Sequence, residues 1–351
     1  MEGTRTLASD NWSGLCPEAL SWLIRANEGS VPPYGRDDWS LSVSDKIRAF
    51  FETDAEIFFA SSGTAANSLV LAHLVTSYSS VLCHEASHIH LDECGAPGFF
   101  GNGSGITPIS RSPDGRITQL ELQRALDNPR DLRFQPPGAL SLTQTSECGT
   151  LYQADTIHSL NRCAKQHGLH THMDGARLLM ATEALQIHPS EITWKAGVDV
   201  LVLGASKLGG GVGDAIIFFN RDLARGFEYR LKQAGQVTSK MRLMTAPWLG
   251  LLEGNHYQRY ARHALELAEQ LELALAEQGF MPWVERQANA VFVDFPEDLA
   301  QWLRSKGWVF HNISYDADNQ VVRLMTGWDT TRDTIEAFSD DLHQGLALYP
   351  R

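Results

Sequence analysis

Short, uninterrupted apolar runs alternate with helix-favouring stretches along most of the chain. The middle is the most regular part: GALSLTQ, then a helical stretch that Asp155 is placed to cap and Gly168 to end, then LHTHMD, a short helix after Arg177, and VDVLVLG. Alternation of this kind predicts a parallel sheet with helices on its faces. VDVLVLG and DAIIFF lack polar alternation, as expected of strands buried on both sides. Nearer the start, EIFFA runs into SSGTAAN and the apolar helix SLVLAHLVTSY, and Thr118 with Glu121 forms a capping box for QLELQRALD.

Residues 256–278 place Leu267, Leu271 and Leu275 at helical spacing among strong helix formers, with Gly279 as a stop. A strand (AVFVDF), a helix (LAQWLRSKG), two short strands (WVFHNIS and QVVRLMT) and an amphipathic helix from Arg332 follow. The expected fold is α/β: a large domain with a mostly parallel central sheet flanked by helices, plus a small C-terminal α+β domain. The expected division is an N-terminal arm over 1–30, a large domain over 31–252 and a small domain over 253–351. A chain of 351 residues is long enough for two domains.

Composition narrows the classes. With 43% hydrophobic and 20% charged residues the chain is globular rather than disordered. A net charge of -13 without any basic run argues against nucleic acid as a partner. The five cysteines are widely spaced and include no C-x-x-C pair, which fits a reducing compartment rather than a disulfide framework or a zinc ribbon. No apolar run approaches the roughly 18 residues of a membrane span, and the start lacks a signal-peptide core. The expectation is a soluble cytoplasmic protein without membrane partners.

In open α/β sheets, ligands sit at the carboxyl ends of strands. Four polar segments follow apolar strands here: Ser61-Ser62-Gly63-Thr64, His84-Glu85-Ala86-Ser87-His88, Asp174-Gly175-Ala176-Arg177 and Ala205-Ser206-Lys207. Lys207 opens onto Gly209-Gly210-Gly211, and an amine withdrawn from water at a strand end becomes nucleophilic, as a Schiff base requires. Alone, such a lysine is ordinarily a surface cap, and an aspartate opening a helix is ordinarily an N-cap. Asp174 and Lys207, 33 residues apart and each ending a buried strand, are together more specific. They are the two groups that hold pyridoxal phosphate, the lysine covalently and the acid on the pyridine nitrogen. Ser62-Gly63-Thr64 at a strand-to-helix turn supplies backbone N–H groups, a hydroxyl and a positive helix end for a phosphate.

SSGTAANS, SHIHLDECGAP, HMDGAR, GASKLGGGVGDAIIF and RLKQAGQ resemble segments of the low-specificity threonine aldolases, pyridoxal-phosphate enzymes of fold type I. The similarity runs from LASDNWSG to VVRLMTGWD, nearly the whole chain. The resemblance implies that Lys207 forms the internal aldimine, Asp174 pairs with the pyridinium nitrogen and His88 stacks on the ring. Gly63 and Thr64 hold the phosphate with Lys232 and Gln236, and Ser62 and Ser206 complete the cofactor set. Arg177, itself a member of that cofactor-binding set, also clamps the substrate carboxylate with Arg323, assisted by Ser9. Tyr34 lines the site of a partner chain. The implied assembly is a homo-oligomer, a dimer or tetramer, with sites shared between subunits.

The implied reaction is retro-aldol cleavage of a β-hydroxy-α-amino acid (threonine, allo-threonine, phenylserine type) to glycine and an aldehyde, and the reverse addition. His88 and Glu147 are the candidate bases. Two departures stand out. Ser146-Glu147-Cys148-Gly149 replaces a T-H-N-G segment whose histidine many relatives carry, and a triple glycine, read as a flexible stretch bearing on substrate choice, follows Leu208. His90 is a further candidate for substrate choice. β-Elimination or dehydration of a hydroxy amino acid is the near alternative. HEASH at 84–88 is formally a zinc-hydrolase motif, but it follows a strand instead of lying within a long helix. A binding module without activity is the remaining alternative, and retention of the lysine, the aspartate and both arginines speaks against it.

Overall fold

The computed structural model describes residues 5–127, 131–313 and 321–349. Seven strands form the central sheet: β1 (Glu56–Ala60), β2 (Ser80–His84), β3 (Gly105–Ser110), β4 (Pro137–Thr143), β5 (His170–Gly175), β6 (Val200–Leu203) and β7 (Asp214–Phe218). Their order is β1-β7-β6-β5-β4-β2-β3. Neighbours from β6 through β3 are parallel, whereas β7 is antiparallel to both β6 and β1. The reversal has a local cause: residues 204–213 are too short for the crossover that a parallel return requires. β6 and β7 are buried at every position, matching their unbroken apolar sequence.

Helices cover the sheet. Helix Gly63–Leu74 is buried over most of its surface because it is apolar nearly all round. The Thr118–Glu121 capping box forms, with the threonine backbone N–H and hydroxyl 2.8 and 2.7 Å from the glutamate carboxylate. Asp155 does not cap its helix: Gln153 occupies the N-cap of Ala154–Gln166, and Asp155 lies one position inside, where an acid still favours the positive helix end.

A second sheet, order β8-β10-β9, joins β8 (Ala290–Asp294), β9 (His311–Asn312) and β10 (Val321–Met325) in antiparallel fashion. Helix His256–Glu277 connects the two cores, with Ala261 and Ala264 in the first and Leu267, Leu271 and Leu275 in the second. The N-terminal arm is tied to the small sheet by Leu7, which donates to Val309 O and accepts from Met325 N. Helix Pro17–Ala26 then packs on Pro247–Leu252 so closely that a Cβ on Gly250 would meet the backbone of Ala19. Among the described residues no helix is long and apolar enough to cross a membrane.

Candidate active site

The parallel strands bring their carboxyl ends to one edge, and a cavity of about 290 Å3 opens there. Ser62, Gly63, Thr64, His88, Glu147, Asp174, Ser206 and Lys207 all line it. Ser62 caps helix Gly63–Leu74, its hydroxyl accepting from Ala65 N at 3.2 Å. Gly63 and Thr64 occupy the first two helical positions, whose N–H groups have no partner within a helix. Asp174 ends β5 and accepts from Asn67 Nδ2 at 2.9 Å and from Ala176 N at 3.0 Å.

Lys207 sits in a single 3-10 turn, Ser206–Leu208, which Gly209 ends with φ 78°. Burial, then the nearby Arg177, pushes its amine pKa down, against the pull of Asp10, Glu147 and Asp174. The glycine run behind it is a packing device rather than a slack stretch. A Cβ on Gly209 would lie 2.9 Å from both Cys16 and Trp328, and one on Gly210 would lie 2.5 Å from Leu251. Gly211 nevertheless reaches the cavity wall.

His88 projects into the cavity with Nδ1 2.9 Å from the Glu93 carboxylate. That hydrogen bond raises the imidazole pKa; burial works against it, and the charges of Asp174 and Glu147 add to it. His84 of the HEASH segment faces elsewhere: its Nε2 is 3.0 Å from Ser112 O, and its Nδ1 accepts from Ala86 N. The two histidines therefore share no metal-binding face.

The other sequence-designated residues lie outside the cavity lining. Arg177 makes a two-pronged ion pair with Asp10, while Arg323 donates to Ala8 O at 3.3 Å, so both arginines are drawn to the arm segment that carries Ser9. Lys232 lies 4.8 Å from the centre of the exposed Tyr34 ring. Gln236 accepts from the backbone N–H and the hydroxyl of Ser61, bracing the turn that precedes Gly63. His90 does not line the cavity.

Sequence reasoning missed Asp10, Asn67, Glu93 and Asp214. Asn67 and Glu93 are buried behind the cavity, and one Asn67 amide nitrogen bonds both Glu93 and Asp174. Asp214 opens β7 on the cavity wall, its pKa raised to about 7 by burial, with Lys207 opposing and Asp174 adding. Two signals were available: a polar asparagine inside an otherwise apolar helix, and a charged residue opening an apolar strand.

Residues 6–298 match the family described as Beta-eliminating lyase, so the chain belongs to that family of lyases. Within that class the chain belongs to the low-specificity threonine aldolases. It is 44% identical over 340 residues to the low specificity L-threonine aldolase of Pseudomonas aeruginosa, covering 97% of each chain. It is 43% identical over 343 residues to the protein of that description from a Pseudomonas species, again covering 97% of each. A solved threonine aldolase from Leishmania major shares the fold, with a TM-score of 0.91 at 24% identity over 97% of this chain and 98% of that one.

Proposed function

We propose that this chain cleaves β-hydroxy-α-amino acids of the threonine and phenylserine type to glycine and an aldehyde, and catalyses the reverse addition, with pyridoxal 5'-phosphate as cofactor. The observation that carries this reading is the single cavity joining Lys207, Asp174 and the first turn of helix Gly63–Leu74. The donor set fits the cofactor: a partly buried amine with lowered pKa, a carboxylate, and unpaired backbone N–H groups at a helix start suited to a phosphate. When bound, the cofactor draws off the electron pair that bond cleavage leaves on Cα.

The side chains then have separate tasks. Lys207 holds the cofactor covalently, Asp174 holds its ring nitrogen, and Ser62, Gly63, Thr64 and Ser206 hold its polar groups. His88 would contact the ring, and with Glu147 it would face the substrate hydroxyl, since both line the cavity. Arg177 and Arg323 draw the substrate carboxylate toward Ser9, orienting the Cα–Cβ bond for cleavage.

The assembly is a homo-oligomer with shared sites. Support comes from Val212, a cavity residue that is exposed, and from the exposed Trp12 beside the cavity residue Asn11. Tyr34 and Lys232 then serve a neighbouring subunit's site, whereas Gln236 braces the Ser61 turn of its own. The arm, large domain and small domain keep the divisions 1–30, 31–252 and 253–351, and the enzyme works in the cytoplasm.

The test is product analysis with threonine and phenylserine after reconstitution with the cofactor. Glycine and aldehyde in equal amounts are expected, and Lys207→Ala is expected to abolish both the reaction and covalent cofactor attachment. A 2-oxo acid with ammonia points instead to elimination. Full activity in Lys207→Ala overturns the assignment.

A further inference from the structure

We propose that Glu93 is a positioning residue for this reaction: its buried carboxylate holds the His88 ring through Nδ1 and leaves Nε2 to receive the proton of the substrate's β-hydroxyl. The inference rests on the retro-aldol reading of the cavity and deepens it, naming the group that sets the base.

Glu93 follows the one-turn helix His88–Leu91, and its side chain is 0% exposed. A carboxylate so withdrawn from water is costly unless donors surround it. Three do: His88 Nδ1 at 2.9 Å, Asn67 Nδ2 at 3.0 Å and Ser68 Oγ at 3.3 Å. Asn67 and Ser68 belong to helix Gly63–Leu74, the helix whose start faces the phosphate position, so the imidazole is registered to the cofactor site through two adjacent residues. The Asn67 amide also donates to Asp174 Oδ2 at 2.9 Å, tying the ring-nitrogen acid to the same frame.

A carboxylate behind Nδ1 selects the tautomer with the proton on Nδ1 and strengthens Nε2 as a base. The largest charge effects on His88 come from Glu93, Asp174 and Glu147, all acidic, so each favours the protonated ring that forms during cleavage; the Lys207 amine, which opposes them, and Asp214 line the same cavity. In that step the hydroxyl O–H bond breaks and its proton moves to Nε2. The O–H electron pair becomes the aldehyde C=O bond, and the Cα–Cβ pair stays on Cα.

Glu93→Gln separates charge from shape. The amide oxygen can keep the His88 and Asn67 bonds, and the amide nitrogen can donate to Ser68 Oγ. Loss of the charge is expected to move the acid limb of the kcat profile down by about one pH unit or more and to lower kcat at neutral pH at least about tenfold, with KM changed less than about twofold. A second readout needs no turnover. In 15N NMR of the parent apoenzyme, with His88 assigned by the signal missing from His88→Gln, the Nδ1–H tautomer and a pKa above that of free histidine are expected. An unchanged kcat and acid limb in Glu93→Gln, or the Nε2–H tautomer in the parent, overturns the proposal. If Glu93→Gln does not fold, the parent spectrum decides. A parent that releases no aldehyde overturns the functional reading instead.

Discussion

Arg177 and Asp10 face each other in a two-pronged ion pair, Nε to Oδ2 at 2.8 Å and Nη2 to Oδ1 at 2.9 Å. The side chains are only 9% and 0% exposed, and Asn289 adds a third donor to the carboxylate at 3.1 Å. Burial alone would raise the Asp10 pKa, but Arg177 and then Lys207 and Asn289 hold it below the usual carboxylate range. The arm thus aims the guanidinium that the family resemblance assigns to the substrate carboxylate.

Asp10→Asn is therefore expected to act on substrate binding. It places an amide N–H against one guanidinium N–H and loosens the aim of Arg177. KM for threonine is expected to rise about tenfold, equivalent to about 1.4 kcal/mol, with a smaller change in kcat. Asp10→Ala leaves the buried guanidinium unpaired and is expected to cost about 3–5 kcal/mol of stability in denaturant titrations. An unchanged KM in Asp10→Asn, measured by steady-state aldehyde release, separates Arg177 from the substrate.

Gly250→Ala tests how the arm is seated. The added methyl would overlap the backbone of Ala19 and Glu18, which cannot move aside as a flexible side chain can. Overpacking of this kind costs about 1–3 kcal/mol, so a lowered thermal midpoint is expected. The pocket residues are not touched, and turnover per folded molecule is expected to stay near the parent value. Equal midpoints for the two proteins would mean that the helices can separate without loss.

What was legible in the sequence follows a physical rule. Lys207, Asp174 and Ser62-Gly63-Thr64 each end an apolar strand, so strand identity alone carried them to the sheet edge where the cavity lies. The reversed β7 was hidden because antiparallel and parallel buried strands share one apolar pattern, and only the short return from β6 distinguishes them. Asp10 is read as loop and Asn67 as helix interior, and only tertiary packing brings the first to Arg177 and the second between Glu93 and Asp174. Asp155 was a plausible cap by residue type, yet the N-cap falls two residues earlier, at Gln153.

His172 predicts an acid limit to stability. Its ring is buried with Nδ1 2.9 Å from Ser141 Oγ, and burial lowers its pKa from 6.5 to about 4, against the pull of Asp174. Between those values the unfolded chain binds the proton more readily than the folded one, so stability falls as pH drops through that window. Replacing His172 with Gln is expected to flatten this part of the curve, read as thermal midpoint against pH. A slope unchanged by the substitution would assign the acid loss to other groups.

Asp214 works with the opposite sign. Its carboxylate is buried and faces the Gly63 turn, where a Cβ would come within 3.3 Å of Oδ2. Burial lifts its pKa from 3.8 to about 7, so in that interval the folded protein binds the proton that the unfolded chain releases. Stability therefore declines as pH rises across the interval, and above it the full cost of a buried anion remains. Asp214→Asn is expected to match the parent near pH 4 and to exceed it increasingly toward neutral pH, with a constant gap beyond. The same substitution removes a negative charge beside the turn proposed for the phosphate, so cofactor affinity of the apoenzyme at alkaline pH is expected to rise. A midpoint difference independent of pH would show that Asp214 is already ionised in the fold at every pH tested.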